Sequence, residues 1–225
     1  MKGAFIVIEG GDGAGKGTQS KLLVERLKAS GRAVVGMSFP RYGVSSAVMV
    51  EKFLRGEFGS PAEVSPYAIS SYYAIDRYAA AAEIRAHIEA GTIVVADRYW
   101  MSNLAYQSIK VPESERASFA AWLDDYEYIR PGIPRPDLTL VIGAPVAARE
   151  ANVLKKADRA YLEGAKQDVN EKDLTMQERV EAAYRYYAVR LPNHVLVDCT
   201  APDGTLHPVH VCHDLVWSRV EQALA

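Results

Sequence analysis

A glycine-rich segment, EGGDGAGKGT at residues 9–18, follows the apolar run FIVI at 5–8 and precedes the helical pattern of Leu22, Leu23 and Leu27. Strand, glycine-rich turn, lysine and helix in this order form a phosphate-binding loop. The glycines allow successive backbone N–H groups to turn toward a polyphosphate, and the start of the helix adds the positive end of its dipole. The segment therefore predicts binding of a nucleoside triphosphate.

The loop matches the Walker A pattern except at one position. Gly17 stands where a serine or threonine normally supplies a hydroxyl to Mg²⁺, and Thr18 comes one residue late. The predicted contacts to the triphosphate are Gly10, Gly11, Asp12, Gly13, Ala14, Gly15, Lys16, Gly17 and Thr18. The alternative is a glycine-rich hairpin that only joins a strand to a helix. Lys16 and the flanking strand and helix patterns disfavour that alternative.

Strand-like and helix-like segments alternate along the chain. Apolar runs typical of buried strands occur at about 4–8, 33–38, 92–96, 138–142 and 194–198. Regular alternation predicts an α/β fold, a P-loop NTPase fold with a five-stranded, mostly parallel sheet flanked by helices on both faces. Ser65 and Pro66 predict the start of a long helix that ends at Gly91, and residues 208–224 predict a closing helix.

Length and charge restrict the classes of protein further. With 225 residues the chain is long enough for a substantial core, and we expect one domain, 1–225. A net charge of −2 provides no overall basic field for nucleic acid, so attraction of anions must be local. The first strand begins too early for a signal peptide, and no apolar run is long enough to span a membrane. We therefore expect a cytoplasmic protein with Cys199 and Cys212 reduced.

A second chemical signal is TIVVADRY at 92–99, a buried strand that ends in charged residues. In open α/β sheets, ligands bind at the carboxyl ends of the strands, which places Asp97 and Arg98 beside the phosphate loop. Asp97 can hold Mg²⁺ through its waters, and Arg98 offers a planar fork to a phosphate monoester. The alternative is an ordinary Asp–Arg pair on the surface at the end of a strand.

The ordered set of motifs resembles the thymidylate kinases over nearly the whole chain. The motifs are EGGDGAGKGT at 9–18, FPRYG at 39–43, YAIDR at 73–77, DRYWMSNLAYQ at 97–107, PDLTLVI at 136–142 and QDVNEKD at 167–173. This resemblance implies transfer of the ATP γ-phosphoryl group to dTMP in dTTP biosynthesis, giving dTDP and ADP. It also implies a homodimer, with small-molecule substrates and no nucleic acid or membrane partner.

The resemblance assigns roles to particular residues. The implied catalytic residues are Lys16, Asp97, Arg98, Arg149 and Arg159, and the candidate ligands of Mg²⁺ are Asp97, Thr18 and Asp12. The implied dTMP contacts are Asp12, Phe39, Pro40, Arg41, Tyr42, Tyr73, Arg77, Arg98, Asn103, Tyr106, Asp168 and Glu171. Among them, the resemblance implies that Asn103 forms a hydrogen bond with the edge of the base and that Tyr106 occupies the space beside the 2′ position of the sugar.

Several of these acceptor assignments leave alternatives open. Phe39 and Tyr73 fit a flat base but are also ordinary core aromatics. Asp76 and Arg77 could form only a solvated ion pair. The sequence does not decide whether Arg41 or Tyr42 approaches the acceptor phosphate.

A basic segment at about 149–166 corresponds to the lid of these kinases. It carries Arg149, Lys155, Lys156, Arg159 and Lys166. Cations that arrive over the transferring phosphoryl group stabilise charge and exclude water. Since Gly13 replaces the loop arginine of one family subclass, the lid must supply the cation, with Arg149 and Arg159 as first choices. A solvated basic surface is an equal alternative for the two lysines at 155 and 156.

The sequence is also compatible with two other functions. The GKGT ending at 15–18 also suits another nucleoside monophosphate kinase, specific for UMP, CMP or AMP. A non-catalytic P-loop nucleotide switch or transport-type ATPase would need no acceptor pocket. A cluster of His207, His210, Cys212 and His213 fits no tetrahedral zinc spacing, so we expect ordinary helix residues there.

Overall fold

The computed structural model describes residues 3–146, 148, 149, 152 and 174–224. The strands are β1 (Phe5–Glu9), β2 (Val34–Ser38), β3 (Ile93–Asp97), β4 (Leu138–Gly143) and β5 (His194–Asp198). All five were predicted from the apolar runs, with bounds that agree within one residue.

The strands form one five-stranded parallel sheet in the order β2-β3-β1-β4-β5. This confirms the predicted fold class. Ile8 near the end of β1 lies opposite Asp97 at the end of β3. The parallel register therefore brings the loop after β1 and the Asp97–Arg98 segment to the same edge of the sheet.

Seven α-helices are described along the chain. They are α1 (Lys16–Ala29), α2 (Val48–Arg55), α3 (Pro66–Glu89), α4 (Trp100–Ser108), α5 (Arg116–Asp124), α6 (Leu174–Ala188) and α7 (Val209–Leu224). A π-helical turn, Asp125–Ile129, continues α5. The long helix begins at Pro66 as predicted, although Ser65 at its N-cap position makes no side-chain capping hydrogen bond.

Apolar side chains bury both faces of the sheet. In β1, Phe5 and Val7 pack into a core with α3, α4, α5 and α6, whereas Ile6 and Ile8 pack into a second core with α1 and α7. All four side chains are at most 1% exposed. Burial on both faces explains why β1 is a continuous apolar run rather than an alternating one.

Other sequence predictions have mixed outcomes. Cys199 and Cys212 are buried free thiols, as expected. None of the helices in the described ranges is both long and apolar enough to span a membrane. Most of the predicted lid, including Lys155, Lys156, Arg159 and Lys166, lies outside the described residues, as do Asp168 and Glu171.

Candidate active site

The phosphate loop connects β1 to α1 and is shaped by glycines. Gly15 precedes the first residue of α1 with φ 92°, a left-handed conformation that residues with a Cβ rarely adopt. Lys16 is 6% exposed, and its Nζ donates a hydrogen bond to the carbonyl oxygen of Gly11 at 2.7 Å. The lysine charge is therefore held beside the loop at the N-terminus of α1, where backbone N–H groups attract anions.

Arg149 packs directly against this loop. Its side chain is 2% exposed, and its Nη1 lies 3.4 Å from Oε2 of Glu181. Its Nη2 donates to the carbonyl oxygen of Gln177 at 3.1 Å. A Cβ on Gly11 would lie 1.6 Å from Arg149 Nη1, and a Cβ on Gly13 would lie 2.0 Å from the Arg149 carbonyl oxygen. Only glycines allow this approach, so the structure brings a predicted lid cation to the predicted triphosphate site.

Asp12 joins the phosphate loop to the segment after β3. Its Oδ1 accepts a hydrogen bond from Arg98 Nη2, and its Oδ2 accepts one from the hydroxyl of Tyr106 at 2.5 Å. Arg98 has φ 66°, a left-handed conformation that is uncommon outside glycine and often occurs at functional sites. The geometry therefore brings together three residues that the sequence predicted for the acceptor.

The environment of Arg98 keeps its guanidinium charged. Burial of Arg98 opposes its charge, but Asp12, together with Tyr106, Tyr184 and Asp97, outweighs burial, so the pKa of Arg98 is raised well above its ordinary value. Arg98 Nη1 also donates to Ser102 Oγ at 3.2 Å. This permanent, oriented cation is suited to a phosphate oxygen.

Glu9, to which the sequence motifs assigned no role, connects the phosphate loop to α4. It is fully buried at the end of β1, and its Oε1 accepts hydrogen bonds from the backbone N–H groups of Tyr99 at 2.7 Å and Ser102 at 3.0 Å. Its Oε2 accepts from Ser102 Oγ at 2.6 Å and from the Tyr184 hydroxyl at 3.1 Å. The carboxylate thus accepts hydrogen bonds from backbone N–H groups at the start of α4 that have no partner within the helix. It thereby fixes this helix relative to the phosphate loop.

Asp97 has the features required of a magnesium-binding carboxylate. Its Oδ1 is buried and has no hydrogen-bond partner among the described residues. A Cβ on Gly17 would lie 3.2 Å from its Oδ2, so the carboxylate borders the phosphate loop. A hard oxygen ligand beside a predicted triphosphate fits Mg²⁺ bound through waters. Thr18, whose hydroxyl is another candidate ligand of Mg²⁺, is exposed on α1.

Arg77 and Asn103 lie side by side between α3 and α4 and share one acidic partner. Glu127 accepts hydrogen bonds from Arg77 Nε at 2.6 Å and Arg77 Nη2 at 2.5 Å. It also accepts one from Asn103 Nδ2 at 2.9 Å. Burial opposes the charge of Arg77, but Glu127 outweighs burial and raises the pKa of Arg77 above its ordinary value. The alternative of a solvated Asp76–Arg77 pair is wrong, because these residues are 1% and 2% exposed.

Asp76 instead holds Arg41 of the FPRYG segment. Its carboxylate accepts from the Arg41 backbone N–H at 2.8 Å and from Arg41 Nε at 3.0 Å. The Arg41 side chain is only partly exposed, whereas Tyr42 is 40% exposed. Phe39 is 4% exposed and makes an edge contact with Tyr99 at 5.3 Å between ring centroids. It is therefore at least partly a core residue.

The remaining predicted residues occupy the same region or lie outside the described ranges. The Phe39–Pro40 peptide bond is cis. Tyr73 on α3 is half-buried and packs against the small core of Val50, Phe53, Leu54 and Ile69. Arg159, Asp168 and Glu171 lie outside the described residues. Within the described part of the chain, no group of three or more His, Cys, Asp or Glu is arranged to hold a metal, including the histidines near α7.

Comparison with known proteins identifies the family. The family model for thymidylate kinase matches residues 8–203. The chain belongs to the thymidylate kinase family. A thymidylate kinase of Mycobacterium tuberculosis is 35% identical over 189 residues, which cover 83% of this chain and 86% of that protein. A thymidylate kinase of Thermomicrobium roseum is 32% identical over 222 residues, which cover 98% of this chain and 95% of that protein.

A solved thymidylate kinase from Candida albicans has the same fold. Its TM-score is 0.69 at 19% sequence identity, and the alignment covers 98% of this chain and 92% of that chain. At this identity the similarity concerns the architecture of the sheet and helices. Together with the family match, it confirms the resemblance that the motifs indicated.

Replacing Gly11 by alanine tests the contact between Arg149 and the loop. The new Cβ would lie only 1.6 Å from Arg149 Nη1, so the guanidinium must move away from the loop. Because the displaced atoms end a flexible side chain, we expect Gly11→Ala to fold. We expect kcat for phosphoryl transfer to fall by about 10²-fold, as for loss of one charge-stabilising donor.

Gly36→Ala in β2 is the matched control. Its Cβ would meet Val24 Cγ2 at 3.4 Å, close to ordinary contact, so its kcat should stay near that of the unmodified protein. Steady-state kinetics and thermal melting of both variants separate activity from stability. Full activity in Gly11→Ala would show that Arg149 does not act at this position.

Proposed function

We propose that this chain transfers the γ-phosphoryl group of ATP to dTMP, giving dTDP and ADP. Membership of the thymidylate kinase family supports the reaction class. The observation that carries the proposal is the position of Asp12, whose carboxylate bonds to both Arg98 and Tyr106 while belonging to the phosphate loop. This links a triphosphate cradle directly to a set of groups suited to a second nucleotide.

On the donor side, the phosphate loop binds ATP. Backbone N–H groups at the start of α1 and the charge of Lys16 hold the phosphate oxygens of ATP. Arg149, which packs against Gly11, adds a second charge over the phosphoryl group that is transferred. Arg159 of the lid is proposed as a further cation. The donor subsite therefore neutralises the charge that would otherwise oppose approach of an anionic acceptor.

Asp97 is proposed to hold Mg²⁺ through water molecules, with Asp12 and Thr18 as secondary candidates. When bound, Mg²⁺ neutralises and orients phosphate oxygens of ATP. Gly17 leaves space beside the Asp97 carboxylate that a side chain would fill, since its Cβ would lie 3.2 Å from Oδ2.

On the acceptor side, Arg98 holds the phosphate of dTMP. That phosphate is already ionised and needs no strong general base, so catalysis depends on in-line placement and charge neutralisation. Arg41 is proposed to support the phosphate from the FPRYG segment, which also contributes Pro40 and Tyr42. Asp168 and Glu171 are proposed to approach the sugar or the metal ion from beyond the lid.

The base and sugar of dTMP lie along α3 and α4 in this proposal. Phe39 and Tyr73 cover the thymine ring, and Arg77 and Asn103 bond to its edge. Asp12 binds the 3′-hydroxyl. Tyr106 occupies the space near C2′, so a ribonucleotide would meet a clash and leave a hydroxyl unpaired.

A panel of acceptors tests the proposed reaction. ADP release with ATP and each of dTMP, UMP, CMP and AMP should give kcat/KM highest for dTMP. A higher value for one of the other three would identify a different monophosphate kinase. Saturable dTMP binding in the absence of ATP separates a kinase from a nucleotide switch. A protein that hydrolyses ATP but does not bind dTMP would contradict the proposal.

Two single substitutions separate the donor and acceptor subsites. Lys16→Ala removes the charge at the loop and should lower kcat by about 10²–10³-fold. Arg98→Ala should raise KM for dTMP by about 10- to 100-fold, since it removes charge-assisted hydrogen bonds, while KM for ATP changes less. Steady-state kinetics with each substrate varied compare kcat and KM of the variants with those of the unmodified protein. Circular dichroism checks that the variants fold. Unchanged kinetics in both variants would remove the proposed roles.

The protein is proposed to act as a homodimer in the cytoplasm. Two large apolar side chains three residues apart on α3, Ile75 and Tyr78, are 51% and 57% exposed and lie on one face. An exposed apolar helix face of this kind fits association with a second copy, as the family resemblance implies.

Light scattering tests this association. The mass of the unmodified protein should be twice the chain mass of 24.7 kDa. The double substitution Ile75→Glu and Tyr78→Glu should reduce it to one chain mass. Val189→Glu changes another exposed apolar residue, 67% exposed, and should leave the dimer intact. A monomeric unmodified protein at micromolar concentration would contradict the proposal.

A further inference from the structure

Glu127 is a fully buried carboxylate that no sequence motif singled out. It lies in the π-helical turn Asp125–Ile129, where the Arg130 backbone N–H bonds to the carbonyl oxygen of Asp125 at 3.0 Å. Such turns often occur at functional sites. Its Oε1 accepts from both Arg77 Nη2 and Asn103 Nδ2, and its Oε2 accepts from Arg77 Nε.

These contacts fix the orientation of the Asn103 side-chain amide. The Nδ2 group donates to Glu127 at 2.9 Å and to the carbonyl oxygen of Ser70 at 3.1 Å. Both partners are acceptors, since one is a backbone carbonyl and the other is a carboxylate paired with an arginine. Reversing the amide would place its oxygen against two other oxygens. The assignment of nitrogen and oxygen in Asn103 therefore follows from the chemistry of its neighbours.

The amide oxygen of Asn103 has a different environment. Oδ1 is buried and has no hydrogen-bond partner among the described residues, although Asn103 is only 2% exposed. A buried acceptor without a partner costs free energy, which a bound donor recovers. Arg77 shares Glu127 Oε1 with Asn103, and it has only N–H donors. Within the described part of the chain, three of its five N–H groups are used by Glu127 and by the carbonyl oxygen of Tyr99, the latter at 3.3 Å, so two remain for a ligand. The pair held by Glu127 therefore has one acceptor without a described partner and two remaining donors.

We propose that Glu127 is a positioning residue for base selection, which holds Asn103 so that Oδ1 faces the acceptor base and holds Arg77 beside it. This inference rests on the proposed function of the site. An acceptor next to a donor complements the N3–H and O4 edge of a 4-oxopyrimidine. A 4-aminopyrimidine offers a lone pair at N3 and an amino group at C4, so it places acceptor against acceptor and donor against donor.

The proposal is tested with two substitutions that separate hydrogen-bonding character from packing. Glu127→Gln keeps the shape but replaces one of the two acceptor oxygens by an NH₂ group, so the Ser70 carbonyl oxygen is the one unchanged acceptor that opposes a turn of the Asn103 amide. Glu127→Asp shortens the side chain but keeps two acceptor oxygens. Discrimination is measured as the ratio of kcat/KM for dTMP to that for dCMP, and to that for dTMP methylated at N3.

We expect Glu127→Gln to reduce both ratios by about tenfold or more, the scale of one hydrogen bond in a buried site. Glu127→Asp should keep the ratios within about threefold even where its kcat/KM and melting temperature are lower. KM for ATP should be similar in all three proteins. Unchanged ratios in Glu127→Gln overturn the proposal. Equal loss of discrimination in Glu127→Asp also overturns it, because only packing would then be involved.

Two further measurements complete the test. If the unmodified protein does not prefer dTMP, the proposed function fails, independently of Glu127. If Glu127→Gln does not fold, side-chain amide NMR of the unmodified protein decides, with Asn103→Ala used for assignment. Both Nδ2 protons should be protected from exchange with solvent before and after dTMP binds. A proton that gains protection only with dTMP would place the NH₂ group against the base and overturn the proposal.

Discussion

The parallel pairing of β1 with β3 is the constraint on which the site depends. With Ile8 opposite Asp97, the phosphate loop and the Asp97–Arg98 segment leave the sheet side by side. Glu9 then reinforces this pairing, because its buried carboxylate accepts two backbone hydrogen bonds from the start of α4. One strand therefore positions the loop at its end and also the helix that carries Asn103 and Tyr106.

Arginines paired with carboxylates, in buried or partly buried positions, recur throughout the site. Arg77 pairs with Glu127, Arg98 with Asp12, and Arg149 with Glu181. Buried ion pairs of this kind are weak evidence for stability, since removing two charges from water costs about as much as their attraction returns. Their value here is orientation, because each guanidinium is held in one geometry. The arrangement reduces the reorganisation that substrate binding would otherwise require.

Local patterns in the sequence predicted the fold and suggested candidate residues for the site. The apolar runs predicted all five strands, and the loop pattern singled out Lys16 and Asp12 as candidates, because these signals depend on neighbours along the chain. Glu127 lies in none of these motifs, and the motif that contains Asp76 does not indicate which residue Asp76 contacts. Their partners, Arg77 for Glu127 and Arg41 for Asp76, are 50 and 35 residues away along the chain, so only the tertiary fold brings them together. The Arg149 contact with Gly11 was likewise unpredictable, although each residue was singled out.

The position of β1 has a consequence for local opening motions. It is the middle strand, hydrogen-bonded to β3 on one side and β4 on the other, and buried apolar side chains cover both of its faces. We expect amide protons in such a strand to exchange with solvent mainly through opening of the whole molecule, because core strands open at free energies near that of global unfolding. The phosphate loop thus starts from one of the most slowly opening parts of the protein. Local opening of the surface helices can then occur without displacing the end of β1, where the phosphate loop begins.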